Sequence, residues 1–107
     1  MDYKSTVFIE KKISDISPTK DIKVRILGTV VSKIDNSIFI DDGTGTAQVL
    51  LGSDITQEIT ENQLVRVFGR VIPSGDGFDI SAEIIQDMKN LNIKLYSTVM
   101  NYYNKLA

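Results

Sequence analysis

Cysteine and histidine occur nowhere in the 107 residues, and tryptophan is missing as well. Without thiols there is no disulfide and no thiolate nucleophile; without imidazole the commonest general base and the usual zinc ligands are gone. Much enzyme chemistry is thereby excluded, and the expectation is a non-enzymatic chain with no cofactor, no catalytic residue and no metal. No apolar run approaches the roughly 18 residues of a spanning helix, and Met1 to Glu10 lacks the basic and apolar regions of a signal peptide. The expected setting is intracellular and away from membranes: cytoplasmic in a prokaryote or archaeon, nuclear in a eukaryote. An excess of positive charge is lacking too. Twelve basic side chains face fourteen acidic ones, for a net charge of -2 and a pI near 5.0. The whole chain therefore has no pull toward a polyanion, and any nucleic-acid contact has to come from a local patch.

What is present is an ordinary globular composition, 42% hydrophobic and 24% charged. The length suits one domain of about 100 to 150 residues. Val24 to Lys33 is rich in β-branched residues and partly alternates, which predicts a long strand with a bulge or bend at Gly28. After the turn cluster Asp35-Asn36-Ser37, two more strands follow, Ser37 to Asp42 and Thr46 to Leu51. Gln63 to Ile72 repeats the first strand's character around Gly69, Pro73 to Gly77 forms a loop, and Phe78 to Gln86 is the fifth strand. Both prolines, Pro18 and Pro73, are expected in loops. Between the third and fourth strands, Ser53 to Asn62 suits a short helix or an irregular connection. Val7 to Ile16 is expected to be a strand or a cap closing one end.

The period changes over the last segment. At 100° per residue, the apolar side chains from Leu91 to Leu106 occupy roughly half the circumference of a helix over 90–106, wider than the stripe of about 100° needed to cover one surface. Three of the four tyrosines lie in this segment. Such a helix either caps its own barrel or offers part of its arc to a partner; binding to a membrane surface is disfavoured because only Lys94 and Lys105 carry charge on its polar face.

An all-β barrel of five short strands, with a helix-sized gap between the third and fourth, describes an OB fold, here over about residues 7–88 and followed by the C-terminal amphipathic α-helix. The repeated Val24-x-Ile26-x-Gly28-x-Val30 and Val65-x-Val67-x-Gly69-x-Val71, with Phe39-Ile40-Asp41-Asp42-Gly43-Thr44-Gly45 between them, resembles the OB-fold subunits of replication protein A. The likeness spans about Ile22 to Leu106 and is greatest to the middle subunit and to related telomere-capping and archaeal single-strand-binding proteins. It implies a subunit of a heteromeric complex in replication or repair, with other OB-fold subunits as partners and single-stranded DNA as a weak ligand. In that family the C-terminal helix joins other subunits, which here points to Leu95, Tyr96, Val99, Met100, Tyr103 and Leu106. The aromatic side chains that stack on bases in the middle subunit have no counterpart in Leu51-Gly52 or in the loop Pro73 to Gly77, which carries Asp76. Since stacking contributes about 1 to 3 kcal/mol per base, autonomous binding should be weak.

Alternation suggests where compensation would lie. It sends Val65, Val67, Val71, Ile38 and Ile40 inward and Arg66, Phe68, Arg70 and Phe39 outward. Because the first OB strand neighbours the fourth, Arg25 and Lys33 are expected to join Arg66 and Arg70 in a basic stripe interrupted by Phe68 and Phe39, a combination suited to a sequence-tolerant single-strand groove. The alternative is that the two rings pack under a terminal segment and the arginines are solvated. Lys20 and Lys23, placed in a loop, either add phosphate contacts or are ordinary surface. A scaffold subunit that never touches nucleic acid, or an RNA-binding module of a tRNA complex, fits the same pattern.

The stretch Ile40-Asp41-Asp42-Gly43-Thr44-Gly45-Thr46 resembles a site, but its spacing fails each test. Gly43 separates Asp42 from Thr44, unlike an aspartic-protease half-site. No Lys-Ser or Lys-Thr pair follows the glycines as in a phosphate loop, and no spaced oxygen ligands or closing glutamate suit calcium. Asp-Gly between two apolar strands predicts a hairpin turn instead.

Overall fold

A strand of twelve residues after Ile22 organises the molecule. The computed structural model describes residues 7–89; the helix expected over 90–106 lies outside them. The elements are β1 (Ile9–Glu10), a 3-10 turn (Ile13–Asp15), β2 (Lys23–Ile34), β3 (Ser37–Asp41), β4 (Thr46–Leu51), β5 (Leu64–Ser74) and β6 (Gly77–Asp87). The first half of β2 pairs antiparallel with β5 and the second half with β3. From β3 the ladder passes to β4, then parallel to β6 and antiparallel to β5. Since β5 also pairs with β2, five strands close into the expected barrel. β1 adds a short parallel pairing along β2.

The barrel is filled almost entirely by β-branched side chains. All its buried apolar residues except Ala47 are isoleucine or valine. Such side chains favour extended backbone and have few rotamers to lose, and full burial of each stabilises the fold by about 1.5 to 3 kcal/mol. Alternation in β2, β3 and β5 points Val24, Ile26, Ile38, Ile40, Val65 and Val67 inward. The four phenylalanines are only half-buried, so the rings are left to the outside and the rim. Ile13 and Ile16 close one end, and Ile59 enters the core from the Ser53–Asn62 segment, which is irregular rather than helical. The N-terminal region is thus both a strand and a cap.

Gly28 and Gly69 make closure possible. A Cβ on Gly28 would lie 2.5 Å from Ile40 Cγ2 and 2.8 Å from the Asp41 carbonyl oxygen; on Gly69 it would lie 2.5 Å from Ile80 Cγ2 and 2.6 Å from the Ser81 carbonyl oxygen. Neither position leaves room for a side chain. The register shift expected at Gly28 occurs instead three residues later, where Val31 is the extra residue between Val30 and Ser32. A second shift makes Glu83 the extra residue on β6. Pro73 is also placed differently: it lies within β5, paired with Phe78. The β2 partnership ends at Arg70, so this part of β5 has one side without a strand partner, where a residue lacking an N–H is tolerated. The β5–β6 connection shrinks to Gly75-Asp76, with Gly75 at φ 59°.

The β3–β4 loop holds the cap in place. Gly43 has φ 88°, the left-handed backbone that the turn requires. Asp42 Oδ1 accepts hydrogen bonds from the Thr44 N–H at 2.8 Å and the Thr44 hydroxyl at 2.6 Å. Its Oδ2 accepts the Ile13 N–H at 2.8 Å, while the Ser14 N–H donates to Thr44 Oγ1 at 3.1 Å. One carboxylate therefore folds the hairpin and caps the 3-10 turn 29 residues upstream.

These contacts predict two outcomes. Gly69→Ala should cost about 1 to 3 kcal/mol in urea denaturation, whereas Gly52→Ala, with open space around its Cβ, should stay within about 0.5 kcal/mol of the parent. Asp42→Ala leaves several N–H donors without their acceptor and should cost about 1 to 3 kcal/mol, with faster amide exchange at Ile13; unchanged exchange there would mean that the carboxylate does not hold the cap.

Candidate nucleic-acid interface

β2 and β5 present a cationic outer face. Their register sets Lys23 beside Arg70, Arg25 beside Phe68 and Leu27 beside Arg66. Four of the residues expected to form a stripe, Arg25, Arg66, Phe68 and Arg70, are thereby brought together across two adjacent strands. Lys23 joins them; it belongs to β2, not to a loop. Its alternation with Arg25 is the sequence signal that would have placed it there. Lys20 stays in a turn and is exposed.

Part of this charge is already matched. Arg25 Nε lies 2.6 Å from Glu10 Oε2, because β1 pairs Glu10 with Arg25. Lys23 Nζ lies 3.5 Å from Glu83 Oε2, on the bulged residue of β6. The same ammonium sits 5.2 Å from the centre of the Phe8 ring, and Phe8 packs edge-on against Phe68 with ring centres 5.4 Å apart. Phe68 is thus engaged by the N-terminal segment, one of the two roles left open for it. Arg70 is exposed. Phe8, Glu10 and Glu83 escaped sequence reasoning, since neither the register of a two-residue parallel strand nor the position of a bulge leaves a periodic signal.

The remaining two residues stand elsewhere. Phe39 is flanked by Ser32 on β2 and Gln48 on β4. Ser32 is seven residues along β2 from Arg25, about 23 Å at 3.3 Å per residue. Phe39 does not interrupt the cationic face. Lys33 is the clearer departure. The extra residue Val31 reverses the alternation, so Lys33 is partnered by the inward-facing Ile38 while Ser32 takes the place beside Phe39. Lys33 and Phe39 are on opposite faces of the sheet. The expected interface residues Leu95, Tyr96, Val99, Met100, Tyr103 and Leu106 lie outside the described residues.

A shallow cleft of about 410 Å³ runs over Gly28, lined by Leu27, Thr29, Val31, Leu64 and the Asp41–Asp42 corner. The Met88 N–H donates to the Leu64 carbonyl oxygen at 2.9 Å, so the residues just after β6 lie next to this cleft. Among the described residues no three acidic side chains group to hold a metal ion, and no helix is long and apolar enough to cross a membrane. The site is built for contact along a surface: cations on two adjacent strands and a ring between them.

No family model and no curated protein sequence matches the chain. Solved structures do. The telomere-capping protein Ten1 from Saccharomyces pombe aligns with TM-score 0.72 and 22% identity over 92% of this chain and 96% of that one. The S. pombe Stn1–Ten1 complex gives TM-score 0.73 and 21% identity over 94% and 92%. Replication protein A of U. maydis bound to single-stranded DNA gives TM-score 0.67 and 17% identity over 89% and 87%. With its closed five-stranded barrel and the strand order described above, the chain has the OB fold that is found in these replication and telomere-capping proteins.

Proposed function

We propose that the chain is a non-enzymatic OB-fold subunit of a complex that binds single-stranded DNA in replication or repair. The observation that carries this is the shared fold over nearly the whole of both chains with Ten1, a telomere-capping protein that is also seen in complex with Stn1. The barrel meets the strand weakly through the β2–β5 face, where Lys23, Arg25, Arg66, Arg70 and the half-buried ring of Phe68 lie, with Glu10 and Glu83 offsetting part of the charge. Assembly with other OB-fold subunits runs through 90–106, whose apolar arc is wider than one surface requires. Phe39 and Lys33, separated from the arginines, fall outside the strand's path.

A purely structural role in the same complexes has its own support: Arg25 and Lys23 on the face are held in ion pairs within the chain, and the β5–β6 hairpin offers Gly75-Asp76 where a ring would stack.

Two measurements test these roles. Removal of the chain after Met88 should abolish co-purification with partner subunits and leave a folded barrel; a truncated chain that still assembles would remove the C-terminal segment from the assignment. Fluorescence anisotropy with a labelled oligothymidylate should show weak binding that falls with added salt. Arg66→Ala together with Arg70→Ala should weaken it about tenfold and flatten the salt dependence, while Lys33→Ala changes it little. Absence of binding at low salt leaves the structural role, and a preference for the matching RNA oligonucleotide points to an RNA complex.

A further inference from the structure

On OB folds, the face of the second and third barrel strands, here β3 and β4, commonly receives oligonucleotides. In this chain its charge has the wrong sign for them. Register carries one outward row across the strands: Ser32 beside Phe39, Phe39 beside Gln48, Gln48 beside Asp79. The next row sets Ile34 beside Ser37 and Ser37 beside Leu50. Asp35 stands in the β2–β3 turn at one end of β3 and Asp41 at the other, with Asp79 two strands from Phe39 and Asp76 in the β5–β6 turn. Among the described residues the cations nearest these rows are Lys33, which the bulge turns to the opposite face, and Arg70 at the border beyond Ser81.

The face is also apolar. Ile34 is 58% exposed and Ile72, beside Asp79, is 37% exposed; Phe39 and Leu50 are half-buried. β3 from Ser37 to Asp41 spans about 13 Å at 3.3 Å per residue, with Asp35 further out in the turn, too far for one ion to bridge and comparable to a short extended segment. At 0.1 M salt the screening length is about 10 Å, close to the two-strand spacing between Phe39 and Asp79, so the carboxylates act jointly on whatever lies over the ring. β3 and β4 each have partners along both edges, so an occupant binds through side chains rather than by adding a strand.

We infer that the β3–β4 face binds a cationic, partly apolar segment of a partner protein, whose lysines or arginines meet Asp35, Asp41 and Asp79 while an apolar side chain lies on Phe39 and Leu50. The charge complementarity selects the partner and the exposed apolar groups anchor it. This surface is distinct from the arginine face, so it stands or falls independently of DNA binding there.

The test uses the full isotope-labelled chain and three probes: a peptide alternating lysine and phenylalanine, one alternating glutamate and phenylalanine, and an oligothymidylate. The lysine peptide should shift the amides of Phe39, Gln48 and Leu50 saturably, and the glutamate peptide should not. Asp35→Asn with Asp79→Asn should weaken the lysine peptide about five- to tenfold; asparagine tolerates the φ of 51° at position 35, so the turn is kept. Phe39→Ala, which leaves the charge unchanged, should weaken it comparably, with the fold of each variant checked by circular dichroism. Unsaturable shifts, equal binding to Phe39→Ala, or an oligothymidylate that moves the same amides would overturn the assignment. So would concentration-dependent shifts of these amides without peptide, which indicate a second copy. A spin label on Lys105→Cys that broadens the Phe39 amide would make the chain's own C-terminal segment the occupant and overturn it as well.

Discussion

Closure of the barrel depends on backbone passing close to backbone at Gly28 and Gly69. At both positions the obstacle to a Cβ includes a carbonyl oxygen, of Asp41 or Ser81, as well as an isoleucine methyl. A flexible side chain can move aside, but a carbonyl in a ladder can move only with its strand. The two glycines stand at the same place in the two valine-rich repeats, on the two strands that pair with each other and close the sheet. The tight interior that results suits isoleucine and valine, and the larger rings are left at half-buried positions outside it. Surface chemistry in this molecule therefore begins with a constraint on the core.

The Asp42 hairpin acts at another level. Without a link between the β3–β4 loop and the N-terminal segment, Ile13 and Ile16 would be a plug tethered chiefly by their own burial. The Asp42 carboxylate supplies that link while also folding the loop, and Gly45 lets the plug approach, with Ile13 Cγ2 3.3 Å from where its Cβ would be. Two adjacent aspartates that resemble a reactive pair in one dimension are thus tied to backbone and hydroxyl donors in three: Asp41 accepts from the Gly43 N–H and the Thr46 hydroxyl, Asp42 from the turn and the cap.

What could be read in advance followed from period and turn chemistry. Alternation over long β-branched strands located the strands and the inward set of valines and isoleucines, and the Asp-Gly turn located the β3–β4 hairpin. The misplacements share one physical origin. A period of two is blind to a single inserted residue, so Val31 reversed the face of Lys33 and Glu83 entered the cationic surface unforeseen. Pro73 misled because the rule against proline in strands weakens where one side of a strand has no partner. Glu10 could not be assigned to Arg25, since a two-residue parallel pairing is decided by tertiary packing alone.

The bulge at Val31 also has an electrostatic consequence. Had the alternation continued, Val31 would have paired with Phe39 and Lys33 with Ser37, placing a cation on the same face as the ring. With one residue inserted, the ring keeps Ser32 and Gln48 as neighbours and Asp79 beyond them, while Lys23, Arg25, Arg66 and Arg70 stay together on β2 and β5. A chain with a net charge of -2 thereby carries two barrel surfaces of opposite sign. Across distances beyond about 10 Å, salt largely screens each from the other, so the potential at each is set by its own side chains rather than by the net charge. The pI alone argues against nucleic acid for the whole chain, yet it constrains neither face separately: the sign at each is set by register, and register is set by the bulges.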